Sequence, residues 1–449
     1  MTRVSRRAAL TLAAGAVSAP VVGTAPVAAQ EPLTTSRRAV IVRADLITAV
    51  TPRDNWRVIA VAVQCTGRID LRGATIPPSA FEVTATIGGT TTPRTVTRVY
   101  PNIAPEVSDH GRPGEYLIVE LNPADANARA AGTDPLPLDR AYNIRQMTDI
   151  LTPRGDVVLA VSPFAVRNDS VITPVVDHFA AGSFTDSTGF RLGYRVFHPE
   201  DFSRRNTRYP LVITLHGGGE VANNTMTQLT SNRIAVTFAK PERQREHPAF
   251  VLSPQIPLPR PMEGPDGTDW TDARVQAATV ELIDRFAAWY PVDTDRIYLV
   301  GLSSGGRGIF SILPKYPGRF AAALPTAGWG EVSAMDKITD VPLWADHSID
   351  DPVVPYKEGR FGKPGTWTLM NALEAAGAKV TRGEWANDLP KAEFEARSRT
   401  LLREARAAGS HVLFTSYTAG TTPVNPHLSW AQTYENDVVI EWLFAQSRR

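Results

Sequence analysis

The strongest constraint on the fold is a change in hydrophobic pattern near residue 184. From there to the end of the sequence, short apolar runs alternate with helical patterns, which predicts a mostly parallel sheet covered by helices. We therefore expect an α/β domain over residues 180–449. The candidate strands are LGYRVFHP, PLVITLH, AFVLSP, RIYLV, AAALP, PLWADH and HVLFTSY. The residues that predict one packed helix by their spacing are Val275, Ala278, Leu282, Phe286 and Trp289.

The preceding part of the chain has a different pattern. Alternating or apolar runs such as RVIAVAVQC, FEVTATI and EYLIVEL are separated by Pro, Gly and Asp clusters, which predicts a β-sandwich over residues 38–170. The single cysteine, Cys65, ends one of these runs, so we expect a buried, unreactive thiol. One cysteine excludes an intrachain disulfide and a cysteine-based metal site.

Residues 1–29 have the composition of an export signal. Arg3, Arg6 and Arg7 precede an uncharged, Ala-rich run that ends in small residues. The string SRRAAL resembles a twin-arginine signal, which predicts export to the periplasm or the extracellular space. A retained membrane anchor is the alternative, but two prolines and many small residues in the run disfavour stable insertion.

The overall composition is that of a globular protein. The chain has 449 residues, 43% of them hydrophobic and 21% charged, which excludes disorder, coiled coil and collagen. Its 47 Lys and Arg residues balance 46 Asp and Glu residues without a basic cluster, which argues against a nucleic-acid partner.

The string GLSSGG, residues 301–306, is the first of four that indicate chemistry. It lies between the candidate strand RIYLV and the helical run RGIFSILPKY. A sharp strand-to-helix turn needs glycines on both sides, and it presents a serine at a helix N-terminus. Ser303 occupies that position and is the candidate nucleophile; a glycine-rich helix cap without catalysis is the alternative.

The second string is HGGG, residues 216–219, after the candidate strand PLVITLH. Glycines at this point let backbone N–H groups turn toward a developing oxyanion. We expect an N–H of Gly217 or Gly218 to form an oxyanion hole with the N–H of Ser304. A plain glycine turn is the alternative, and His216 itself is expected to be structural.

The third and fourth strings supply an acid and a base. DHSIDDPVVP follows the strand PLWADH, and Asp351 is our choice for the acid, with Asp350 and Asp346 as alternatives. The histidine in PHLSW, His427, follows the strand HVLFTSY and is the candidate base. The chain order Ser303, Asp351, His427 is that of α/β-hydrolase triads.

At these strings the chain resembles a known family of secreted α/β-hydrolase esterases. That family includes polyhydroxyalkanoate depolymerase-like, feruloyl-esterase-like and predicted-peptidase sequences. The resemblance spans about residues 190–449, and some members carry an N-terminal immunoglobulin-like domain, in agreement with the predicted β-sandwich. Two departures are Pro426, where glycine usually precedes the histidine, and Ser304, where methionine is more usual. The matching strings are YPLVITLHGGG, DRIYLVGLSSGG, YPGRFAAALPTAG, DPVVP and HLSWAQTYENDVVIEWLFAQ.

The resemblance implies acyl transfer from an ester, small or polymeric, without a metal or organic cofactor. Trp329 and Trp270 lie close in sequence to the motifs, and we expect them to line the substrate cleft, with core packing as the alternative. Residues 381–410 form an extra charged segment, either a lid over the site or a solvated surface helix.

Two other functions are compatible with the same sequence features. A triad alone does not distinguish esters from amides, so a serine peptidase on the same fold is the first. The second is a binding or adhesion protein in which the β-sandwich acts beside a degenerate hydrolase domain. The complete set of Ser303, His427 and Asp351 argues against the second.

Overall fold

The protein is described by a computed structural model. It describes residues 39–448 except for 52–54, 131–140, 204–206 and 259–268. The predicted export signal, residues 1–29, lies outside the described residues. No helix in the described part of the chain combines the length and hydropathy of a membrane span.

In the residues that the structure describes, the N-terminal domain consists of strands and of the 3₁₀ turns Pro78–Ala80 and Ala126–Ala128. In chain order the strands are β1 (Ile41–Thr51), β2 (Asn55–Ile69), β3 (Phe81–Ile87), β4 (Thr90–Arg94), β5 (Val96–Asn102), β6 (Gly114–Leu121), β7 (Ala141–Gln146), β8 (Ile150–Leu151), β9 (Val157–Leu159), β10 (Val166–Arg167) and β11 (Ser170–Ile172).

These strands pair into two main sheets. One has the order β11-β1-β2-β6-β5, the other β10-β7-β3-β4, and β8 pairs with β9 separately. Alternate residues of both sheets, among them Val61, Val83 and Leu117, pack into one buried core, as the predicted β-sandwich requires. Strand β11 pairs in parallel with β1, so the domain runs past the predicted boundary at residue 170.

Cys65 lies in the core of this domain as expected. Burial raises the pKa of its thiol to about 12, so the thiolate is scarce at neutral pH.

The C-terminal domain alternates strands and helices. Its strands are β12 (Ala180–Thr185), β13 (Arg191–Phe197), β14 (Tyr209–Leu215), β15 (Phe250–Gln255), β16 (Val292–Leu302), β17 (Ala322–Thr326), β18 (Leu343–Ser348), β19 (Val380–Trp385) and β20 (Val412–Tyr417). Its helices are α1 (Thr227–Thr230), α2 (Ile234–Ala239), α3 (Pro241–Glu246), α4 (Ala273–Trp289), α5 (Ser304–Lys315), α6 (Thr366–Ala375), α7 (Lys391–Ala408), α8 (Trp430–Thr433) and α9 (Asp437–Phe444). Its 3₁₀ turns, with the one that leads into the domain, are Val176–His178, Gly218–Glu220, Asp269–Thr271, Val332–Lys337 and Pro426–Leu428.

The strands form one sheet in the order β12-β13-β15-β14-β16-β17-β18-β20-β19. Strands β12 and β13 run antiparallel to their neighbours, and every later pairing is parallel. The carboxyl ends of the parallel strands therefore meet at one edge, where α/β sheets hold their ligands.

Both faces of the sheet are covered by helices. Along β14, Leu211 and Ile213 join the core beneath α4, α5 and α6, whereas Val212 joins the core beneath α2, α7 and α9. Strands buried on both faces are continuously apolar, which explains runs such as PLVITLH. The predicted mostly parallel α/β sheet is confirmed.

One local feature differs from the predictions. Trp289 is 58% exposed, because it is the last residue of α4, where the helix leaves the sheet. The C-terminal helical region is two helices, α8 and α9, separated at Asn436, which caps α9 by accepting from the Val438 N–H.

The extra charged segment belongs to the sheet and not to a lid. Its first part is the edge strand β19, and its second part is α7, which packs against β19, β20 and α9. Phe394, Leu401 and Ala405 form the buried side of α7, while its charged side chains other than Glu395 face outward. The amphipathic surface helix is therefore the better of the two predictions.

Candidate active site

Ser303 lies in a strained turn between β16 and α5. Its φ of 52° is in the left-handed region, which costs energy for a residue with a side chain. The turn is held by the Ser303 N–H, which donates to Thr326 O at 3.0 Å. It also requires glycine at position 305, where a Cβ would lie 2.0 Å from Leu215 O. The packing of α5 against β14 therefore fixes the height of Ser303 above the sheet.

The structure brings Ser303, His427 and Asp351 together at the carboxyl edge of the sheet. Ser303 Oγ lies 3.0 Å from His427 Nε2, and His427 Nδ1 lies 2.7 Å from Asp351 Oδ2. The serine donates to Nε2 and Nδ1–H donates to the carboxylate, which is the tautomer that proton transfer from serine needs. Ser303 is 9% exposed and the His427 side chain 12%, so both reach the surface, whereas Asp351 is buried.

Asp351 is held in place by its own loop. The Val353 and Val354 N–H groups donate to Oδ1 at 2.8 and 3.0 Å, which leaves Oδ2 to face His427. Burial raises the pKa of the Asp351 carboxyl, but hydrogen bonds from His347 and His427 outweigh burial and hold this pKa well below its usual range. Asp351 is therefore ionised at neutral pH.

The two alternative acids have other positions. Asp350 accepts from Ser348 Oγ at 3.0 Å and from the Gly420 N–H at 2.8 Å, so it ties two loops together. Asp346 is fully buried beneath Ser429, whose Oγ donates to Oδ1 at 3.3 Å. Burial raises the pKa of Asp346 to about 8, so it is mainly protonated at neutral pH. Among the three acids, Asp351 is the one that contacts His427.

His427 lies in the 3₁₀ turn Pro426–Leu428, beyond β20. The side chain of Asn425 accepts the His427 N–H at 2.9 Å and caps this turn. The ring of Trp430 meets the imidazole edge-on with 5.0 Å between centroids. Pro426 starts the turn, so its replacement of the usual glycine leaves the histidine in reach of Ser303.

The glycine loop after β14 lies beside the serine turn. A Cβ on Gly217 would lie 3.6 Å from Ser303 Cβ, and a Cβ on Gly218 would lie 3.7 Å from Ser304 Oγ. Ser304 is the first residue of α5, so its N–H has no partner within the helix. The predicted oxyanion-hole residues are thus neighbours.

His216 supports this loop. Its Nδ1–H donates to Gly217 O at 2.7 Å, and its Nε2 accepts the Ile256 N–H at 3.1 Å. Both ring nitrogens are engaged with backbone, in agreement with a structural role.

The two predicted substrate-lining tryptophans are buried. Trp270 donates through Nε1 to His216 O at 2.8 Å and supports the glycine loop from below. The Arg307 guanidinium lies over Trp329, 5.5 Å from the centroid of the tryptophan ring. The centroids of the Trp329 and Phe361 rings are 6.4 Å apart. Neither side chain offers surface to a ligand in this structure, so packing, the alternative interpretation, describes both.

Two residues at the site received no role from the sequence. Glu220 follows the three glycines, and its Oε2 lies so close to Gly217 that a Cβ added to that glycine would be 2.9 Å from it. His347 contacts the same Asp351 oxygen as His427, with Nε2 at 3.1 Å from Oδ2. Their signals were present, since an acid directly follows HGGG and a histidine precedes Asp351 by four residues.

The chain matches two family descriptions. Residues 43–159 match "Esterase Ig-like N-terminal domain", and residues 185–422 match "Putative esterase". These ranges coincide with the β-sandwich and with most of the α/β domain.

Individual relatives agree with the family match. A solved structure described as a thermostable esterase is 30% identical, covers 91% of this chain and 100% of its own, and superimposes with a TM-score of 0.71. A bifunctional acetylxylan esterase/xylanase from Neocallimastix patriciarum is 27% identical over 149 residues, which is 33% of this chain and 20% of the fungal protein. The chain belongs to the esterase family of carboxylic ester hydrolases, with an immunoglobulin-like domain before its α/β-hydrolase domain.

Proposed function

We propose that the protein hydrolyses carboxylic esters through a Ser303–His427–Asp351 triad and an acyl-enzyme intermediate. The observation that carries the proposal is the continuous contact from Ser303 Oγ to His427 Nε2 at 3.0 Å and from His427 Nδ1 to Asp351 Oδ2 at 2.7 Å. In α/β-hydrolases this arrangement activates the serine for attack on an acyl carbon.

The first half of the reaction forms the acyl-enzyme. Ser303 Oγ attacks the ester carbonyl carbon while His427 Nε2 takes its proton, and Asp351 stabilises the imidazolium that results. The C–O bond to the alcohol then breaks, and His427 returns the proton to the leaving oxygen.

The second half releases the acid. Water attacks the acyl carbon, His427 takes the water proton, and the Ser303 Oγ–acyl bond breaks with return of that proton to serine. In both halves we assign the oxyanion to the N–H of Ser304 and an N–H of Gly217 or Gly218. Loss of one such donor typically costs roughly 2.7–4 kcal/mol of transition-state stabilisation.

The proposal includes the location and the substrate class. The arginines and the Ala-rich run in residues 1–29 support export by the twin-arginine route. The similarity to an acetylxylan esterase and a thermostable esterase supports esters, with acetyl groups on a polysaccharide as one candidate substrate.

A panel of esters tests the proposal. We would measure hydrolysis of nitrophenyl esters from acetyl to palmitoyl, a feruloyl ester, acetylated xylan and peptide anilides. Ester turnover is expected, and Ser303→Ala or His427→Ala is expected to lower kcat by several orders of magnitude, on the order of 10⁶-fold in serine triads.

The matched variants separate the outcomes. Wild-type-like turnover in a folded Ser303→Ala protein contradicts the triad. Turnover of anilides alone replaces the esterase by a peptidase. Silence on every substrate from a folded protein favours the binding-protein alternative.

A further inference from the structure

One oxygen of the proposed catalytic acid contacts two imidazoles. Asp351 Oδ2 lies 2.7 Å from His427 Nδ1 and 3.1 Å from His347 Nε2. His347 is fully buried near the end of β18, while His427 reaches the surface. The proposed reaction uses the imidazole of His427 and assigns no step to that of His347.

The neighbours of His347 determine which ring nitrogen donates. Nε2 faces Asp351 Oδ2 and, at 2.8 Å, Val354 O, and both of these oxygens accept only. Nε2 therefore carries the proton. Nδ1 lies 2.9 Å from Thr366 Oγ1, a hydroxyl that also lies 2.9 Å from Gly328 O and donates its one proton either to that carbonyl or to the ring. The ring is thus held from three sides, and its Nε2–H is shared between Val354 O at 2.8 Å and Asp351 Oδ2 at 3.1 Å.

The His347 N–H is the fourth hydrogen-bond donor to the Asp351 carboxylate. Oδ1 is held by the two N–H groups of Val353 and Val354, so His347 and His427 share the other oxygen. A donor on Oδ2 withdraws negative charge from the atom that stabilises protonated His427. It also limits rotation of the carboxylate about its Cβ–Cγ bond.

We propose that His347 is a positioning residue for the catalytic acid, which fixes Asp351 Oδ2 in line with His427 and moderates the proton affinity of His427 by sharing that oxygen. This inference rests on the proposed esterase function. His347 touches no substrate, so it acts only through Asp351.

The other titratable and polar groups near His347 and Asp351 are unchanged in the His347 variants. Within the described residues, Tyr356 meets the His347 ring edge-on with 5.7 Å between centroids, and burial raises the pKa of its hydroxyl. Asp346 lies on the same strand and is mainly protonated at neutral pH, and Asp350 is held by Ser348 and Gly420. Helix α6 contributes the Thr366 hydroxyl.

The test compares His347→Leu with His347→Gln in the full-length protein. Leucine removes the donor, so we expect kcat for nitrophenyl acetate to fall about tenfold, as for loss of one hydrogen bond to a charged group, with KM little changed. The pH of half-maximal kcat/KM should rise by roughly half a pH unit, because Oδ2 then carries more charge toward His427. Glutamine retains an N–H donor and should restore both values toward those of the wild type.

His411 provides the matched control. It is a histidine whose Nε2 bonds a backbone carbonyl, Thr339 O, at 2.6 Å, away from Asp351. His411→Leu should leave the pH profile unchanged. If His347→Leu does not fold, Thr366→Val takes its place. Valine removes the hydroxyl that holds Nδ1, so Nε2–H is less firmly oriented toward Asp351 Oδ2. The pH of half-maximal kcat/KM should therefore rise here as well.

Two results would overturn the inference. One is an unchanged pH of half-maximal kcat/KM in folded His347→Leu, or in Thr366→Val if the His347→Leu variant does not fold. The other is an equal loss in the Leu and Gln variants without a displaced pH profile, which would make His347 a packing residue. Failure of the proposed function looks different, since turnover would then persist in Ser303→Ala.

Discussion

Replacement of Asp351 by asparagine is the most informative single change. The carboxylate accepts from two backbone N–H groups at Oδ1 and from two imidazoles at Oδ2. An amide has only one oxygen, so its NH₂ group must face one of these pairs of donors. If it faces His427, the ring is forced to carry its proton on Nε2 and no longer accepts from Ser303.

The expected loss is large because the tautomer is wrong while the geometry is kept. In serine triads the Asp-to-Asn change lowers kcat about 10⁴-fold, which is about 5.4 kcal/mol of transition-state stabilisation at about 1.36 kcal/mol per tenfold. We would measure kcat for nitrophenyl acetate with Asp351→Asn and with Asp350→Asn, after checking that both are folded.

Asp350→Asn is the matched control, because it changes the adjacent acid, whose contacts are Ser348 and the Gly420 N–H. It should remain within about threefold of the wild type, since surface-loop hydrogen bonds contribute about 1 kcal/mol or less. More than a tenth of wild-type kcat in Asp351→Asn, or an equal loss in Asp350→Asn, would refute the assignment of the acid.

Two further substitutions test the packing around the site. Gly305→Ala places a Cβ 2.0 Å from Leu215 O, so it should lower the free energy of unfolding by about 1–3 kcal/mol and reduce ester turnover, whereas Gly67→Ala, with a neighbour at 4.0 Å, should be neutral in urea unfolding. Asp346→Asn tests the buried acid, whose carboxyl pKa is raised by burial to about 8. The contribution of this carboxyl to the free energy of unfolding is complete below about pH 3.9. It is lost as the pH rises toward 8, by up to about 1.4 kcal/mol per pH unit. The variant should therefore gain stability relative to the wild type between pH 5 and pH 8, and parallel pH dependences of the two proteins would contradict this.

Much of the architecture follows from local patterns. The predicted strands all lie within the sheet because strands buried on both faces leave an apolar run with sharp ends. Ser303, Asp351 and His427 meet because each follows the carboxyl end of a parallel strand, and those ends share one edge. Chain order and strand context were therefore enough to select three residues far apart in sequence.

The missed features depend on contacts between distant segments. β12 and β19 are less continuously apolar and lie at the two edges of the sheet, so their sequences resemble surface segments. Trp270 and Trp329 are close to the motifs in sequence, but tertiary packing places both beneath the surface. His347 was within a quoted motif, yet only the fold shows that its Nε2 and His427 meet on one oxygen.

The three residues of the proposed triad follow three different strands, β16, β18 and β20, so the proposed activity depends on correct pairing of these strands. Strands β17 and β18 lie between the strand before the serine and the strand before the histidine. A slip of one residue in any of these pairings moves a loop by about 3.3 Å, far more than a hydrogen bond tolerates. Return of ester turnover during refolding would therefore report when the central strands have reached their native register.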